Sequence, residues 1–459
     1  MESLKKISKE KPRNLWKIVD SNKYHVHVTI STIDSATKSE EIDDKCQPCN
    51  AKRFEENFKN WTSGNKDINE LIQYSQLNAV YFLKCFEWIP FENLQNVTYI
   101  TRGGFGKIYS AEWPEGYIWY WDIENQKWER VKNCKVALKS LDNSSEICTD
   151  FINEIYIRNI VYCYGITQDP NTKDYMMVLK YCENGNLRNF YLNNSSSINK
   201  LYRLSKIANG LLSIHNAEKV HKDFHSGNIL NTVYISDLGM CQQVNNKEKS
   251  DKKEGVYGVL PYMAPEVLRG YQYTKAADIY SFGIIMNEFL SEEIPFNDIP
   301  HDHILAIKIC KGLRPKISED IPKFLVDLIM KCWDAKAENR LSAKELYQIL
   351  KNWHEEDKKF NNNEIRSQMG EYEKIKEKKF KNISIENKSE SIITHPQAIY
   401  TSRLLNFKNL PEPVNSSDLS SFQVNSDVPS ISENLISELI YYFIRLILFN
   451  YFNNRPQRN

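Results

Sequence analysis

The hydrophobic pattern of this chain changes period once, and that change restricts its architecture more than any other feature. From about residue 95 to 183 the apolar residues come in short runs of strand character: VTYIT, KIYSAEW, YIWYW, KVALKSL and MMVLKY. From about 197 to 354 they recur at three and four, in LYRLSKIANGLLSIH, ADIYSFGIIMNEFL, FLVDLIMKCW and AKELYQILKNW. Strands bury alternate residues and helices bury a stripe of period 3.6, so the two halves must build different layers. A strand-rich part followed by a helix-rich part predicts an α+β protein of two lobes with a cleft between them.

The flanks read differently. Residues 1–65 form an N-terminal polar region, with one alternating run, YHVHVTIS, and a lone C-x₂-C at Cys46 and Cys49. A structural zinc site needs four ligands, and His25 and His27 are the candidates for completing it; without a second cysteine pair the reading is no metal. Residues 66–93 form a helical lead-in, with Ile68, Leu71 and Ile72 at helical spacing and Val80, Phe82 and Leu83 after them. Residues 355–459 read as a low-complexity tail rich in Lys, Asn and Ser. It ends in an apolar run at 435–452, LISELIYYFIRLILFNYF, interrupted by Glu438 and Arg445. A membrane span needs about 20 apolar residues, so this run reads as a terminal helix on protein or on a membrane surface rather than a span. Sixty basic residues against 59 acidic leave a net charge of +1, which excludes a nucleic-acid-binding arm as the main function. Ten scattered cysteines and an opening of MESLKKISKEKPRN fit a reduced, intracellular and cytoplasmic protein.

Several short motifs carry chemistry. ITRGGFGKIYSAEW at 100–113 runs from strand through glycines to strand, and glycines let backbone N–H groups approach phosphate oxygens. Against the pattern G-x-G-x-x-G, Thr101 takes the first place and Gly103 and Gly106 the others. Alone, such glycines make only a tight turn. Lys139 closes the strand Val136–Ala137–Leu138–Lys139, where it can point into the cleft towards nucleotide phosphates, and Glu154 in TDFINEIYI could hold it. VHKDFHSGNIL at 220–230 sets Asp223 and Asn228 five residues apart on a loop, and YISDLGM places Asp237 soon after. Two carboxylates and a carboxamide suit Mg²⁺, which prefers hard oxygen ligands and binds few protein groups beside substrate phosphates. YGVLPYMAPEVL, ADIYSFG and ENRLSAKEL complete the series.

In this order the motifs resemble those of the eukaryotic protein kinases over residues 94–354. Within that superfamily the chain is similar to the tyrosine-kinase-like group. Its flanking text, CQPCNAKRFEENFKNWTSGN and HPQAIYTSRLLNFKNLPEP, is similar to expanded kinase families of fungi. The resemblance implies a bilobal protein kinase fold: a β-rich N-lobe (94–182) with one regulatory helix, a helical C-lobe (183–354), and flexible N- and C-terminal extensions. It implies transfer of the ATP γ-phosphate to Ser or Thr hydroxyls of protein substrates in intracellular signalling, with ATP and Mg²⁺ as cofactors.

The resemblance also implies roles. Thr101, Gly103 and Gly106 form the loop over the phosphates, and Ile108 and Ala137 pack on adenine. Lys139, paired with Glu154, contacts the α- and β-phosphates. Leu179 is the gatekeeper, the backbones of Lys180 and Cys182 bond the adenine edge, and Leu230 closes the pocket from below. Asp223 accepts or orients the substrate hydroxyl proton, while Asn228 and Asp237 bind Mg²⁺. Glu266 with Arg340, and Asp278 alone, brace the large lobe and the catalytic loop.

Departures from the family pattern accompany the match. Thr101 replaces a glycine, Lys222 replaces the usual Arg and loses its bidentate fork, and His225 stands where Ser/Thr kinases carry Lys. Only ten residues separate Glu154 from Tyr164, about six fewer than the family spacing, and Arg158 takes an apolar helical position. The alternative reading is therefore a pseudokinase or scaffold that binds nucleotide or partners without phosphotransfer; a third is a tail-anchored adaptor built on 435–452. Val259, where Ser/Thr kinases place Thr, argues against a Ser/Thr preference that the YMAPEVL context favours. The insert PEGYIWYWDIENQKWERV reads as a self-packed hairpin stapled by tryptophans. The lysine-rich stretch before Glu266, with Ser250 and Tyr257, reads as a solvated loop.

Overall fold

The computed structural model describes residues 47–79, 85–103, 106–122, 124–141, 161–193, 199–243, 255–359, 363–386 and 394–415. Two helices lead in, α1 (Gln47–Asn57) and α2 (Lys66–Asn78). Asn65 caps α2, its side chain accepting the N–H groups of Asp67 and Ile68. Eight strands follow: β1 (Glu87–Trp88), β2 (Gln95–Gly103), β3 (Gly106–Trp113), β4 (Tyr117–Asp122), β5 (Lys127–Val131), β6 (Cys134–Leu141), β7 (Cys163–Gln168) and β8 (Tyr175–Lys180).

Six of them form one sheet in the order β1-β7-β8-β6-β3-β2, and β4 with β5 makes a separate hairpin. Only the β1–β7 pairing in the sheet is parallel. There Gly165 faces Glu87, and a Cβ on it would fall 2.0 Å from the Glu87 carbonyl oxygen, so the two chains meet only because the residue is glycine. Strand β8 divides its side chains by alternation. Met176 and Val178 join Trp113, Val136 and Leu138 on one face, while Tyr175 and Met177 join Ile68, Ile72 and Ile166 on the other. Helix α2 thus covers the second face of the sheet.

The aromatic insert is the β4–β5 hairpin, with Trp121 edge-on to Trp128 at 5.0 Å. It also receives α1: Phe54 stacks on Trp128 at 4.7 Å, and the Arg53 guanidinium lies 4.6 Å over Trp121. Arg130 ties the hairpin to β1 through two 2.8 Å bonds to the Glu87 carboxylate.

The second lobe contains α3 (Leu187–Asn193), α4 (Lys200–Asn216), β9 (Lys219–Val220), β10 (Gln242–Gln243), β11 (Val256–Gly258), α5 (Pro265–Leu268), α6 (Lys275–Ser291), α7 (His303–Cys310), α8 (Lys323–Cys332), α9 (Ala343–Lys358), α10 (Glu364–Glu386) and β12 (Arg403–Leu405). Helix α6 is buried on every side from Ala277 to Ser291, as a helix apolar all round must be. Helices α4, α8 and α9 pack in the same core. Ser342 and Glu345 close a capping box at the start of α9.

Over 355–359, 363–386 and 394–415 the structure corrects the expectation of a flexible, low-complexity tail. Helix α10 lies on the lobe with Met369 and Tyr372 buried, and the Tyr372 hydroxyl donates to the Leu290 carbonyl at 2.7 Å. Residues 394–415 cross the lobe, Leu405 enters its core, and β12 pairs antiparallel with β11. Composition missed this because a few anchors spaced along a polar chain suffice when the partner surface is already folded. Among the described residues no helix is long and apolar enough to cross a membrane. The apolar run 435–452, Cys46, His25, His27, Ser250, Glu154 and Arg158 lie outside the described residues.

Candidate active site

The loop after β9 is held from below by a buried carboxylate. Asp278 on α6 accepts the backbone N–H of His221 through Oδ2 (2.8 Å) and that of Lys222 through Oδ1 (3.2 Å), with His215 Nε2 at 3.0 Å from Oδ2. These bonds fix Lys222 at φ +69°, a left-handed conformation that a non-glycine residue adopts only under restraint. The kink brings Asp223 into the cleft as a buried side chain.

Asn228 Nδ2 donates to the Asp223 carbonyl (2.9 Å) and to Asp223 Oδ2 (3.2 Å). His225 Nδ1 accepts from the Gly227 N–H at 3.1 Å, which leaves Nε2 facing Asp223 Oδ2 at 3.6 Å. The Ser402 hydroxyl donates to Asp223 Oδ2 at 2.5 Å. Asp223 Oδ1 is buried without a hydrogen-bond partner among the described residues. Burial works against charge on Asp223, but the His225 ring and the Ser402 hydroxyl outweigh it and hold the carboxyl below its ordinary range. Burial pushes the neighbouring His221 imidazole down, against the attraction of Asp278 and Asp223.

Asp237 also sits at positive φ, +59°. Its Oδ1 accepts from Lys139 Nζ at 2.9 Å, so a lysine of the strand lobe reaches a carboxylate of the helical lobe. The Ser236 N–H and hydroxyl both donate to the Asn228 carbonyl, at 2.8 and 3.0 Å, and stitch this segment to the loop that carries Asp223. Lys139, Asp237, Asn228 and Asp223 therefore share one cleft. The residue expected to hold Lys139, Glu154, lies outside the described residues.

The remaining site candidates line the sheet and the link between lobes. Gly103 pairs with Gly106, Thr101 with Ile108, and Ile108 with Lys139. Ala137 pairs with Leu179 on the adjacent strand. The Lys180 N–H is taken by the Tyr162 carbonyl at 2.8 Å, and its carbonyl accepts a long contact from Cys182 Sγ at 3.9 Å. Cys182 Sγ lies 3.2 Å from Thr232 Oγ1, and the Asn231 N–H bonds the Gly185 carbonyl, which sets Leu230 beside the inter-lobe link.

The donor set fits Mg²⁺. Asp237 and Asn228 offer hard oxygens on segments joined through Ser236, and two protein ligands with phosphate oxygens and water are what Mg²⁺ takes. Among the described residues no cluster of three or more His, Cys, Asp or Glu is placed to hold a metal ion.

Outside the cleft, Arg340 donates to both oxygens of Glu266 at 2.6 and 2.8 Å, the bracing pair the sequence suggests. Sequence reasoning missed a second buried carboxylate. Glu288 accepts from Arg188 Nε, Tyr191, Ser226 and Tyr262 at 3.0, 2.7, 2.8 and 2.6 Å. One signal was available: Asn287 and Glu288 interrupt the apolar run IIMNEFL of α6. Ser402 and Tyr400 were missed as well, and no local pattern marks them.

The family model for protein tyrosine and serine/threonine kinases matches residues 94–350. The chain belongs to that kinase family. It is 28% identical over 277 residues to the probable serine/threonine-protein kinase gdt4 of Dictyostelium discoideum, covering 57% of this chain and 16% of that one. It is 32% identical over 225 residues to the dual specificity protein kinase shkA of the same organism, covering 45% of this chain and 42% of the relative. To the tyrosine-protein kinase SPK-1 of Girardia tigrina it is 25% identical over 270 residues, covering 54% and 51%. The kinase thus spans about half or less of the length of these curated relatives, and their names divide among hydroxyl classes.

Proposed function

We propose that this kinase transfers the γ-phosphate of ATP to Ser or Thr hydroxyls of protein substrates, with Asp223 as the group that takes or orients the hydroxyl proton. One observation carries the reading: Asp223 bonded to Asn228, and Lys139 bonded to Asp237 across the lobes, bring four groups picked from separate motifs into one cleft. Phosphoryl transfer needs mainly positioning and charge neutralisation, and these residues supply both. Lys139 presents its ammonium to the phosphates, while Gly103 and Gly106 let backbone N–H groups approach them. Asn228 and Asp237 would hold Mg²⁺, which would supply charge neutralisation for the triphosphate. Ile108, Ala137, Leu179 and Leu230 take the adenine, with the Lys180 carbonyl and the Cys182 backbone at its edge. The flanks' likeness to fungal kinase families and an intracellular signalling role belong to this reading too, on sequence grounds.

The test is ATP turnover on a generic protein substrate, with and without Mg²⁺, read out by phospho-residue type. Asp223→Asn should lose about 10²–10⁴ of the rate. Equal turnover by that variant would remove the proposed base. Thermal stabilisation by Mg·ATP with no transfer would point instead to a pseudokinase.

A further inference from the structure

Residues 394–415 pair with β11 and bring a hydroxyl to Asp223. Strand β12 adds antiparallel to β11, with Val256 opposite Leu405, Tyr257 opposite Leu404 and Gly258 opposite Arg403. Main-chain pairing of this kind captures a peptide and sets its register. The residue next in register, Ser402, is the one whose hydroxyl meets Asp223 Oδ2 at 2.5 Å, within reach of a general base. Thr401, the adjacent hydroxyl, is exposed. Side chains fix the segment on both sides. The Tyr400 ring lies 4.5 Å under the Arg188 guanidinium and edge-on to His301 at 4.8 Å, and its hydroxyl donates to the Pro295 carbonyl at 2.8 Å. Arg403 donates to the His301 carbonyl at 2.6 Å, and Leu405 is buried in the lobe's core. Farther on, Phe407 stacks on His303, Glu412 pairs with Arg269, and the Val414 N–H bonds the Cys310 carbonyl.

We propose that Ser402 is a phosphoacceptor of the kinase's own active site, and that the segment around it displays the peptide class the groove takes. That class has an aromatic residue two before the hydroxyl, a basic residue one after and a leucine three after. The proposal rests on the phosphotransfer reading above. In the step, Ser402 Oγ bonds the γ-phosphorus of a nucleoside triphosphate held in the cleft, and its proton passes to Asp223. The bond from that phosphorus to the bridging oxygen breaks, and the nucleoside diphosphate leaves with the electron pair. The product carries up to two negative charges against the Asp223 carboxylate, so repulsion loosens the segment and opens the groove to other substrates.

The experiment incubates the full chain with Mg·ATP at several protein concentrations and maps phosphosites by mass spectrometry, in the wild type, Ser402→Ala, Tyr400→Ala and Asp223→Asn. Phosphate is expected on Ser402 at a first-order rate independent of chain concentration, and absent in Asp223→Asn and Ser402→Ala. Tyr400→Ala should slow Ser402 labelling about tenfold while labelling of a generic protein substrate persists or rises, which also shows that the variant is folded. Without nucleotide, hydrogen exchange should find Val256–Gly258 and Arg403–Leu405 protected together, and both released in Tyr400→Ala. Transfer to the generic protein with none on Ser402, label on Thr401 instead, or a rate proportional to chain concentration overturns the proposal and leaves the phosphotransfer reading standing. No transfer to any acceptor overturns both.

Discussion

Asp278→Asn perturbs the brace of the loop that carries Asp223 without removing any side chain proposed to touch substrate. The carboxylate is fully buried and accepts three hydrogen bonds, from the His221 N–H, the Lys222 N–H and the His215 ring. An asparagine can keep Oδ2 as its oxygen and so retain two of them, without the charge that strengthens each. Its amide nitrogen then faces the Lys222 N–H, donor against donor. A buried donor left unsatisfied costs about 1–3 kcal/mol, and the two retained bonds weaken by about 1 kcal/mol each on losing the charge. The sum is roughly 3–5 kcal/mol. At about 2–4 °C per kcal/mol for a protein of this size, the melting temperature should fall by roughly 6–20 °C. The same change releases Lys222 from its positive φ, so Asp223 loses its fixed position and phosphotransfer should fall by about tenfold or more at a temperature where the variant is still folded. The measurements are thermal or urea denaturation and transfer to a generic protein, both on the full chain. A melting temperature within 2 °C of wild type, or unchanged transfer by Asp278→Asn, would refute the bracing argument.

Three further outcomes follow from other parts of the molecule. Arg340→Ala removes a side chain that bonds both oxygens of Glu266 and the carbonyls of Ala276, Asp334 and Ala335, and it should cost about 3–5 kcal/mol in urea denaturation, with Arg340→Lys intermediate; an alanine variant of wild-type stability would discount the pair. Trp128→Ala should loosen α1 locally by about 1–3 kcal/mol, since it deletes the partner of both Phe54 and Trp121, and faster hydrogen exchange confined to Gln47–Asn57 is the expected readout. Burial works against the charge of Asp320, but the Ser318 hydroxyl, Lys376 and Lys379 outweigh it and hold its pKa down, so the anchorage it gives α10 is present above the unfolded value of about 3.9 and is lost as pH falls from there through the lower folded value. Protease sensitivity of α10 should rise across that window in the wild type and stay flat in Asp320→Asn; identical profiles would contradict the assignment.

The change of hydrophobic period carried the two-lobe architecture because each lobe is built from elements long enough to express a period. Lys139, Asp223, Asn228 and Asp237 were legible for a different reason: each sits in a motif whose neighbours restrict its backbone, as Gly103 and Gly106 do for the first hairpin and Asp278 does for the loop. What escaped the sequence lacks both kinds of signal. Strand β1 is two residues long, so it has no alternation to read, and its pairing depends on a glycine 78 positions away. The Trp121–Trp128 staple could be read within the hairpin, yet nothing local announced that Phe54 would complete it. The 394–415 segment has sparse apolar residues and no period, because its anchors answer to the surface it crosses: Tyr400 to Arg188, Leu405 to the lobe's core, Ser402 to Asp223.

Helix α6 explains why a peptide at this surface and the chemistry at Asp223 can be one system. It presents two buried carboxylates ten residues apart on a helix enclosed on every side. Asp278, near its start, holds the backbone of His221 and Lys222 on one side of Asp223. Glu288, near its end, holds the Ser226 hydroxyl on the other side, and the same carboxylate gathers Tyr262 and Arg188. Arg188 in turn forms the face on which Tyr400 rests. The loop that carries Asp223 is therefore pinned at both ends to one rigid rod, and the platform that receives the residue two before Ser402 is pinned to that rod as well. Glu288, with four donors on two oxygens in a buried site, ties that platform and the loop to the same helix. On the proposal that Ser402 is an acceptor, the two-residue spacing from aromatic anchor to hydroxyl follows from Arg188 and the loop of Asp223 both being tied to α6.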